Sequence, residues 1–398
     1  MRLRLSSLKE NALKMHRDNK GKISVQSKVK VTNAEELSLA YSPGVAEPCL
    51  EISQDKEKAY LYTMKSQMVG VVSNGTAVLG LGNIGAQAAL PVMEGKAVLF
   101  KNFADVDAFP ICLDTTDPDQ LIDTVQMLAP NFGGINLEDI AAPDCFYVEE
   151  KLKQLLDIPV FHDDQHGTAI VTVAGLVNAL KLVDKQMSEI KVVVNGAGAA
   201  GIAIVRLLNQ FGVKQIVICD SQGAIYRGRE QGMNPIKQTI AKETNDQKET
   251  GDLKAVMKNA DVFIGVSLAN LVDQDMVRSM NRDPIIFAMA NPNPEIMPED
   301  ALAAGARVVG TGRSDYPNQV NNVLAFPGIF KGALTVMASE INEPMKIAAV
   351  HAIAELIDEE DLSETYIIPD PFDPRVAETV SQAVANAAQK SGVAPINN

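Results

Sequence analysis

The chain has 398 residues, enough for two or three domains with a sizeable buried core. Its formal net charge of -14 at pH 7 argues against nucleic acid as a partner, because a phosphate backbone would be repelled. The composition, 46% hydrophobic and 22% charged without an apolar run of about 20 residues, predicts a globular protein with no membrane span. Four widely spaced cysteines and a polar N-terminus without a signal-peptide pattern predict reduced thiols and a cytoplasmic location.

The first 80 residues predict polar helix and loop followed by two short strands. Residues 1 to about 40 are polar, and a Ser-Pro-Gly turn comes directly after Tyr41. Taken alone, Tyr41 would be an ordinary half-buried aromatic side chain. Strands are predicted at residues 69–73 and 77–79, separated by an Asn-Gly turn.

A first glycine motif, Gly-Leu-Gly-Asn-Ile-Gly, lies at residues 80–85 and has the spacing of a dinucleotide fingerprint. Such a fingerprint needs an acid about 20 residues later, at the end of a second strand, to bind the ribose hydroxyls. The next strand-like run, at residues 97–100, ends instead in Lys101, although Asp105 and Asp107 follow. This motif is therefore the weaker of the two glycine motifs in the chain.

The second glycine motif, at residues 196–201, has its full structural context. A β-branched strand is predicted at residues 190–194, a helix at 202–208 and a second strand at 215–219. Glycines there permit the tight turn, the close approach of a pyrophosphate and helix–strand packing, and the helix N-terminus faces the phosphates. The pattern predicts that the coenzyme is contacted by Gly196, Ala197, Gly198, Ala199, Ala200, Gly201 and Asp220.

Two other strand ends carry carboxylates. The run at residues 134–137 ends in Glu138 and Asp139, and the run at 158–161 leads into His-Asp-Asp-Gln-His at residues 162–166. Since ligands bind beyond the carboxyl ends of strands in α/β enzymes, hard oxygen ligands at two such ends indicate one divalent cation, Mg²⁺ or Mn²⁺. Successive strand residues point in opposite directions, so Glu138 and Asp139 can share an ion only if the chain turns between them.

Alternatives to this cation site remain open at the level of the residues. Either acidic pair taken alone is more often a helix cap or a solvated loop than a ligand set. His162 and His166 also permit a zinc site, although their hard oxygen neighbours disfavour it. A long apolar helix is predicted after this stretch, from about residue 169 to residue 183.

The remaining chain continues the alternation of strands and helices. Strands are predicted at residues 260–265, 284–290 and 308–312, and mostly helix from 334 to 398, with an amphipathic last helix at about 376–389. The expected fold class is α/β, with a Rossmann-type doubly wound parallel sheet as its second part. We expect a substrate domain over residues 1–160, an NAD-binding domain over 161–330 and a helical segment over 331–398 that packs on both.

Five motifs together resemble those of the small bacterial malic enzymes. In chain order they are YSPGVA at residues 41–46, GLGNIG at 80–85 with PVMEGK at 91–96, GINLED at 134–139, FHDDQHGT at 161–168 and NNVLAFPG at 321–328. The resemblance covers nearly the whole chain, and it implies that the first glycine motif lies in the substrate domain while the second binds the dinucleotide. It further implies a homodimer that oxidatively decarboxylates (S)-malate to pyruvate and CO₂, with a divalent metal and NAD or NADP.

The resemblance also implies roles for single residues. Lys96 matches the general base of the family, Tyr41 matches its general acid, and Glu138, Asp139 and Asp164 match its metal ligands. A lysine beside a bound dication can lose its proton near neutral pH, because the neighbouring positive charge disfavours the ammonium form. The metal held by these carboxylates would polarise the carbonyl group formed at C2 of malate.

Other positions are less closely defined by the resemblance. Asp163 suits a contact with Lys96 better than a place in the ligand set. Asn291 matches a position near the nicotinamide and Asn321 one near the substrate, with Asn322 less certain. Where larger malic enzymes hold a substrate carboxylate with an arginine, this chain has Ala77, so Thr76, backbone amides or a partner subunit must replace it.

The coenzyme and the exact reaction remain open at this stage. Asp220 favours NAD, because a carboxylate repels the 2′-phosphate of NADP, but Arg227 and Arg229 lie close enough in sequence to keep NADP as an alternative. A malolactic enzyme or an oxaloacetate decarboxylase of the same fold remains a rival reading. A nucleotide-sensing module without catalysis would predict damage to Tyr41, Lys96 or the acidic residues, and all are intact.

Overall fold

The structure is a computed structural model that describes residues 2–78 and 80–395. Its first sheet is parallel, with the strand order β2-β1-β3-β4, and consists of β1 (Met68–Ser73), β2 (Asp107–Cys112), β3 (Gly134–Leu137) and β4 (Val160–His162). Around it lie α1 (Arg2–Asn19), α2 (Ala34–Ala40), α3 (Ala46–Gln54), α4 (Ala59–Tyr62), α5 (Ala86–Ala104), α6 (Pro118–Leu128) and α7 (Asp144–Leu155). Short 3₁₀ turns occur at Lys56–Lys58, Met64–Ser66 and Ala129–Asn131.

The second sheet has the order β10-β9-β8-β5-β6-β7, and its strands are parallel except for the short β7. The strands are β5 (Lys191–Asn195), β6 (Gln215–Asp220), β7 (Gly223–Ala224), β8 (Val262–Gly265), β9 (Ile285–Ala288) and β10 (Val308–Thr311). The strand order reverses at β5, between β6 on one side and β8 on the other. Such a switch point leaves a crevice at the carboxyl end of the sheet, where dinucleotides bind.

Helix α8 (Asp163–Val183) joins the two sheets. The helices that follow are α9 (Ala199–Gln210), α10 (Pro235–Glu243), α11 (Leu253–Met257), α12 (Gln274–Arg278), α13 (Pro298–Ala303), α14 (Phe326–Thr335), α15 (Glu343–Ala354) and α16 (Arg375–Lys390). A further 3₁₀ turn spans Asn322–Leu324. The predicted α/β fold with a Rossmann-type sheet and C-terminal helices is confirmed, because the β-branched runs of the sequence form the buried parallel strands.

Helix α8 is the centre of the core. By length and composition it resembles a membrane span, but 72% of its most apolar 18-residue window is buried inside the protein, as expected of a core helix. It is apolar on all sides because α9 and α15 pack against it. The N-terminal segment, in contrast to α8, lies at the surface, since no residue from 8 to 68 is buried.

Three local predictions are wrong. Residues 97–100 are not a strand but part of α5, and residues 77–78 form a turn with a single bridge between Val78 and Gly82; Leu79 lies outside the described residues. Helix α8 begins at Asp163, six residues before the predicted start, because the polar first turn hides the helix from an apolar pattern. The acidic residues of that turn suit the positive end of the helix dipole.

Candidate active site

Three carboxylates meet where β3 ends and α8 begins. Glu138, Asp139 and Asp164 each offer one oxygen, and these three atoms lie within 4.8 Å of one another. Asp139 has a φ of 54°, so the chain turns between the two neighbouring acids, as a shared site requires. The backbone N–H of Asp139 donates a 2.8 Å hydrogen bond to Oδ2 of Asp164, which ties the strand end to the helix.

Lys96 reaches this cluster from α5. Its side chain is buried, and its Nζ atom lies 2.9 Å from Oε1 of Glu138 and 2.7 Å from Oδ2 of Asp163. Nζ also lies 4.3 Å from the centre of the Phe326 ring. The expected contact between Lys96 and Asp163 is therefore present, and Lys96 bridges a candidate metal ligand and a buried aspartate.

The cluster carries more negative than positive charge. Burial favours the neutral acids and raises the pKa of Asp163 to about 7, despite its contact with Lys96. Burial also raises the pKa of Glu138 and of Asp164 above their usual ranges. Burial alone would lower the pKa of Lys96. The negative charges of Asp163 and Glu138 outweigh this effect and raise the pKa, so the ammonium form is favoured.

A second buried polar network contacts the start of α8. Oε1 of Glu149 on α7 accepts the backbone N–H of His162 at 3.2 Å and contacts Nε2 of His166 at 2.8 Å. Nδ1 of His166 lies 3.1 Å from Nζ of Lys346 on α15, so both ring nitrogens are engaged. Among the described residues, the one cluster suited to a metal contains carboxylates alone, which disfavours the zinc reading of His162 and His166.

The loop before the first glycine motif lies against the carboxylates. The N–H of Ala77 donates to the carbonyl of Asp139 at 2.9 Å, and the Thr76 hydroxyl accepts the N–H of Ala141 at 2.9 Å. The Thr76 hydroxyl also donates to Asn74 at 2.7 Å. Thr76 is thus close to the candidate site, but its hydroxyl already has structural partners.

Tyr41 stands apart from the buried cluster. It caps the C-terminus of α2 in the exposed N-terminal segment, and 70% of its surface is accessible. In the described part of the chain, its hydroxyl makes no hydrogen bond. The structure therefore does not bring Tyr41 into contact with Lys96 or the carboxylates.

The second glycine motif is built for a close ligand. Gly196 has a φ of 124°, and a Cβ atom there would lie 2.7 Å from the carbonyl oxygen of Val266. A Cβ on Gly201 would lie 1.7 Å from the oxygen of Gly196, whereas one on Gly198 would meet nothing within 4 Å. Because Gly198 is also the N-cap of α9 and provides no side-chain cap, the first helix N–H groups face open space that suits a pyrophosphate.

Asp220 ends β6 as predicted, but it is surrounded by cations. Arg229 forms a two-point ion pair with its carboxylate, and Nζ of Lys237 lies 2.6 Å from Oδ2. Burial opposes ionisation, yet the hydrogen bonds from Arg229 and Lys237 lower the pKa of Asp220 to about 2. Arg227 is not part of this group, since its guanidinium bonds to the carbonyl of Lys242.

The predicted asparagines lie in loops near the junction of the two sheets. Asn291 follows β9, and a Cβ on Gly80 would lie 3.6 Å from its carbonyl oxygen, so the first glycine motif touches this loop. The Asn321 side chain accepts the N–H of Val323 in its own turn. Asn322 instead hydrogen-bonds to Asp163, the residue that also contacts Lys96.

Several residues of the site were not found from sequence. Asn136 lies in β3, two residues before Glu138, and donates a 2.9 Å hydrogen bond to Oε2 of Glu138. A buried asparagine in an otherwise apolar strand was the available signal. Glu149, Lys237 and Lys346 carried no signal of this kind, because each belongs to an ordinary helical pattern.

Comparison with known proteins agrees with this geometry. The family model for the NAD-binding domain of malic enzyme matches residues 165–392, and that for the N-terminal domain matches 19–119 and 115–153. The chain is 68% identical to the bifunctional malic/malolactic enzyme of Bacillus subtilis, over 98% of this chain and 95% of the relative. It is 57% identical to the NAD-dependent malic enzyme of Geobacillus stearothermophilus, over 95% and 79% respectively.

The structural comparison extends the similarity to the whole fold. The crystal structure of malic enzyme from Pyrococcus horikoshii is 50% identical, matches 98% of this chain and 93% of that one, and superposes with a TM-score of 0.94. The first glycine motif falls in the N-terminal family match and the second in the NAD-binding match, as the resemblance implied. On this evidence the chain belongs to the malic enzyme family.

Proposed function

We propose that this protein oxidatively decarboxylates (S)-malate to pyruvate and CO₂ while reducing NAD or NADP. The observation that carries the proposal is the carboxylate cluster of Glu138, Asp139 and Asp164, which lies beside buried Lys96. The glycine turn at the carboxyl end of the second sheet would bind the dinucleotide that accepts the hydride. Membership of the malic enzyme family supports the same reaction.

The carboxylates fit a hard divalent cation, Mg²⁺ or Mn²⁺. Glu138, Asp139 and Asp164 are the proposed ligands, since their oxygens converge within 4.8 Å and oxygen donors suit these ions. Together with Asp163 they set four carboxyl groups against one ammonium, a charge excess that a dication would offset. When bound, the metal acts as a Lewis acid that polarises the C2 oxygen of malate.

We propose that Lys96 is the general base for the C2 hydroxyl. Its proton is held by Asp163 and Glu138, which raise its pKa. A dication held by Glu138 and Asp164 would cancel part of that negative charge, so the neutral amine of Lys96 would become accessible. Lys96 then takes the hydroxyl proton as the C2 hydride passes to the nicotinamide, and Asp163 keeps Nζ in place.

Tyr41 is the proposed general acid that protonates C3 after CO₂ leaves. It is carried on a segment without a buried residue from 8 to 68, which exposes large apolar side chains such as Leu39 and Val25. Such a surface is expected to be covered by another molecule. We propose that the protein is a homodimer and that the N-terminal segment forms part of its interface.

The other predicted roles stand as proposals. Thr76 and Asn321 are assigned to substrate binding, and Asn291 to the nicotinamide end of the coenzyme. We retain the division into a substrate domain (1–160), an NAD-binding domain (161–330) and a helical segment (331–398). Four free cysteines, two of them buried, support a cytoplasmic location, and the net charge argues against nucleic acid.

The decisive experiment is a product assay with purified protein, malate, Mn²⁺ and either coenzyme. We expect pyruvate, CO₂ and reduced coenzyme in equal amounts. Lactate without net reduced coenzyme would instead establish the malolactic reaction, the second activity in the name of the Bacillus subtilis relative. Pyruvate from oxaloacetate but not from malate would establish an oxaloacetate decarboxylase.

A further inference from the structure

Glu295 is a fully buried acid to which the proposed reaction gives no role. Burial raises its pKa, and among the described residues no lysine, arginine or histidine side chain pairs with it. Its carboxylate instead accepts two backbone N–H groups, that of Ser267 on Oε1 at 3.0 Å and that of Ala290 on Oε2 at 3.1 Å. A buried carboxyl group without a cationic partner is costly, so its presence calls for a reason in the surrounding structure.

The two N–H groups belong to loops that follow neighbouring strands of the second sheet. Ser267 lies two residues beyond the end of β8, and Ala290 lies two residues beyond the end of β9. The backbone hydrogen bonds that continue the sheet reach Val266 and Met289, one residue earlier in each loop. The Glu295 carboxylate therefore joins the two loops at the point where the sheet itself no longer does.

The carboxyl group of Glu295 lies against Gly265, the last residue of β8. A Cβ atom at Gly265 would lie 2.3 Å from the carboxyl carbon and 2.5 and 2.7 Å from the two oxygens. The carbonyl groups of Pro294 and Glu295 separately accept the N–H groups of Asn270 and Val272, at 3.1 and 3.0 Å. A change of the Glu295 side chain therefore removes the carboxylate contacts and leaves these backbone links in place.

The joined loops lie on the side of the crevice that receives the nicotinamide. In a Rossmann-type sheet the adenosine ribose lies towards the acid at the end of the second strand, which is β6 here, and the dinucleotide crosses the switch point. The nicotinamide half of a coenzyme bound at residues 196–201 then lies over β8 and β9. Asn291, assigned above to the nicotinamide end, directly follows Ala290.

We propose that Glu295 is a positioning residue that fixes the nicotinamide half of the coenzyme crevice. Its carboxylate sets the spacing between the loops at Ser267 and Ala290, so that this half of the crevice keeps its shape before the coenzyme binds. Because Glu295 is fully buried, it acts through these loops and not by contact with the coenzyme. The inference rests on the proposed function for the presence of a nicotinamide coenzyme.

The test is equilibrium binding to the full-length enzyme, measured by calorimetry with NADH, NADPH and 5′-ADP. Glu295→Gln keeps the size of the side chain but offers one acceptor oxygen and one amide donor, so one loop N–H is left facing a donor. We expect the reduced coenzyme that binds the native enzyme more tightly to lose about tenfold in affinity. The affinity for 5′-ADP, which carries only the adenosine half and the pyrophosphate, should stay within about twofold.

An exposed acid on the next helix provides the matched control. Glu299→Gln, in α13, can still accept the Tyr316 hydroxyl and is expected to change none of the three affinities. Glu295→Ala, by contrast, removes the carboxylate and leaves a space, which the added methyl group of Gly265→Ala partly fills. We expect the double variant to recover part of the Tm lost in Glu295→Ala, while its affinity for the reduced coenzyme stays low.

Several outcomes would overturn this role. They are an equal loss of reduced coenzyme and 5′-ADP in Glu295→Gln, native affinity in that variant, and recovery of coenzyme affinity together with Tm in the double variant. A native enzyme that binds neither reduced coenzyme more tightly than 5′-ADP would overturn it as well. If the selective loss is found but the native enzyme forms no pyruvate from malate, the proposed function fails and the positioning role of Glu295 stands.

Discussion

The backbone N–H of Asp139 donates a 2.8 Å hydrogen bond to Oδ2 of Asp164, although Asp139 follows β3 and Asp164 lies in the first turn of α8. The left-handed conformation of Asp139 points this N–H towards α8 and turns its side chain back beside Glu138. One backbone hydrogen bond thus joins Asp139 to Asp164, whose carboxylates converge with that of Glu138. The three carboxylates are thus held close together, and their negative charges repel one another.

Asp164→Asn removes the negative charge of this residue but keeps an oxygen that can accept the Asp139 N–H. The amide oxygen of asparagine can still accept the Asp139 N–H, so we expect the fold to persist. The loss of one anionic ligand should weaken Mn²⁺ binding about 100-fold or more, since even outer-shell changes cost about 10- to 100-fold. Electron paramagnetic resonance of free Mn²⁺ measures this directly. Asp144→Asn, an exposed acid in the first turn of α7, should leave the affinity unchanged.

Lys96→Ala should abolish most turnover without weakening the metal. General base catalysis is worth about 10²- to 10⁴-fold, and kcat should fall by that amount. Mn²⁺ binding should hold or improve, because the substitution removes a positive charge next to Glu138. Lys101→Ala, an exposed position on the same helix α5, serves as control. Turnover within a few-fold of the native enzyme would rule out Lys96 as the base.

Metal binding should strengthen as the pH rises from about 5.5 to about 8, because Mn²⁺ competes with protons for the buried carboxyls. Burial raises the pKa of Glu138 to about 7 and that of Asp164 to about 6, so their protons must leave first. Raised acid pKa values cost folding stability as pH rises through them, and a bound cation removes that cost. Mn²⁺ should therefore raise Tm more at about pH 8 than at about pH 5.5, and Asp164→Asn should flatten the difference. A Tm increment that is independent of pH would contradict the proposed ligand set.

Strands were predictable because their residues carry a local signal. Residues 190–194 and 215–219 are mostly β-branched and apolar, and the ends of these strands in the structure differ from the predicted ones by at most one residue. The Ala-Val-Leu-Phe run at 97–100 has the same apolar character but lies inside α5, since a run of four cannot separate a strand from a buried helix. The role predicted for Lys96 did not depend on this error, because it came from a motif and not from the strand.

Long-range contacts were not predictable from residue patterns. Asp220 was correctly placed at the end of β6, yet its partner Lys237 lies 17 residues further on, in α10, where it fits an ordinary helix. The position of Tyr41 is similar, because it lies in an exposed segment whose placement no local pattern predicts. Contacts between residues distant in sequence, rather than periodicity, decide the surroundings of Asp220.

Glu149 connects the candidate site to the C-terminal helices. The ring of His166 is uncharged at neutral pH, since burial lowers its pKa to about 4. It can therefore donate from Nε2 to Glu149 and accept at Nδ1 from Lys346, which joins α7, α8 and α15. The carboxylate also receives Lys153 at 2.7 Å. The network fixes the first turn of α8, where Asp163 and Asp164 lie.

Glu149→Gln should therefore weaken both the fold and the metal site. Removing one partner from a buried charge network costs about 3 kcal/mol, because Lys153 loses its carboxylate partner, whereas Lys346 keeps Glu343. Denaturant unfolding should show this loss, and Mn²⁺ affinity should fall about tenfold as the first turn of α8 loosens. Glu150→Gln changes the exposed neighbouring acid on the same helix and should alter stability by no more than about 0.5 kcal/mol. If Glu149→Gln loses stability but retains native Mn²⁺ affinity, the network supports the core alone and does not position Asp164.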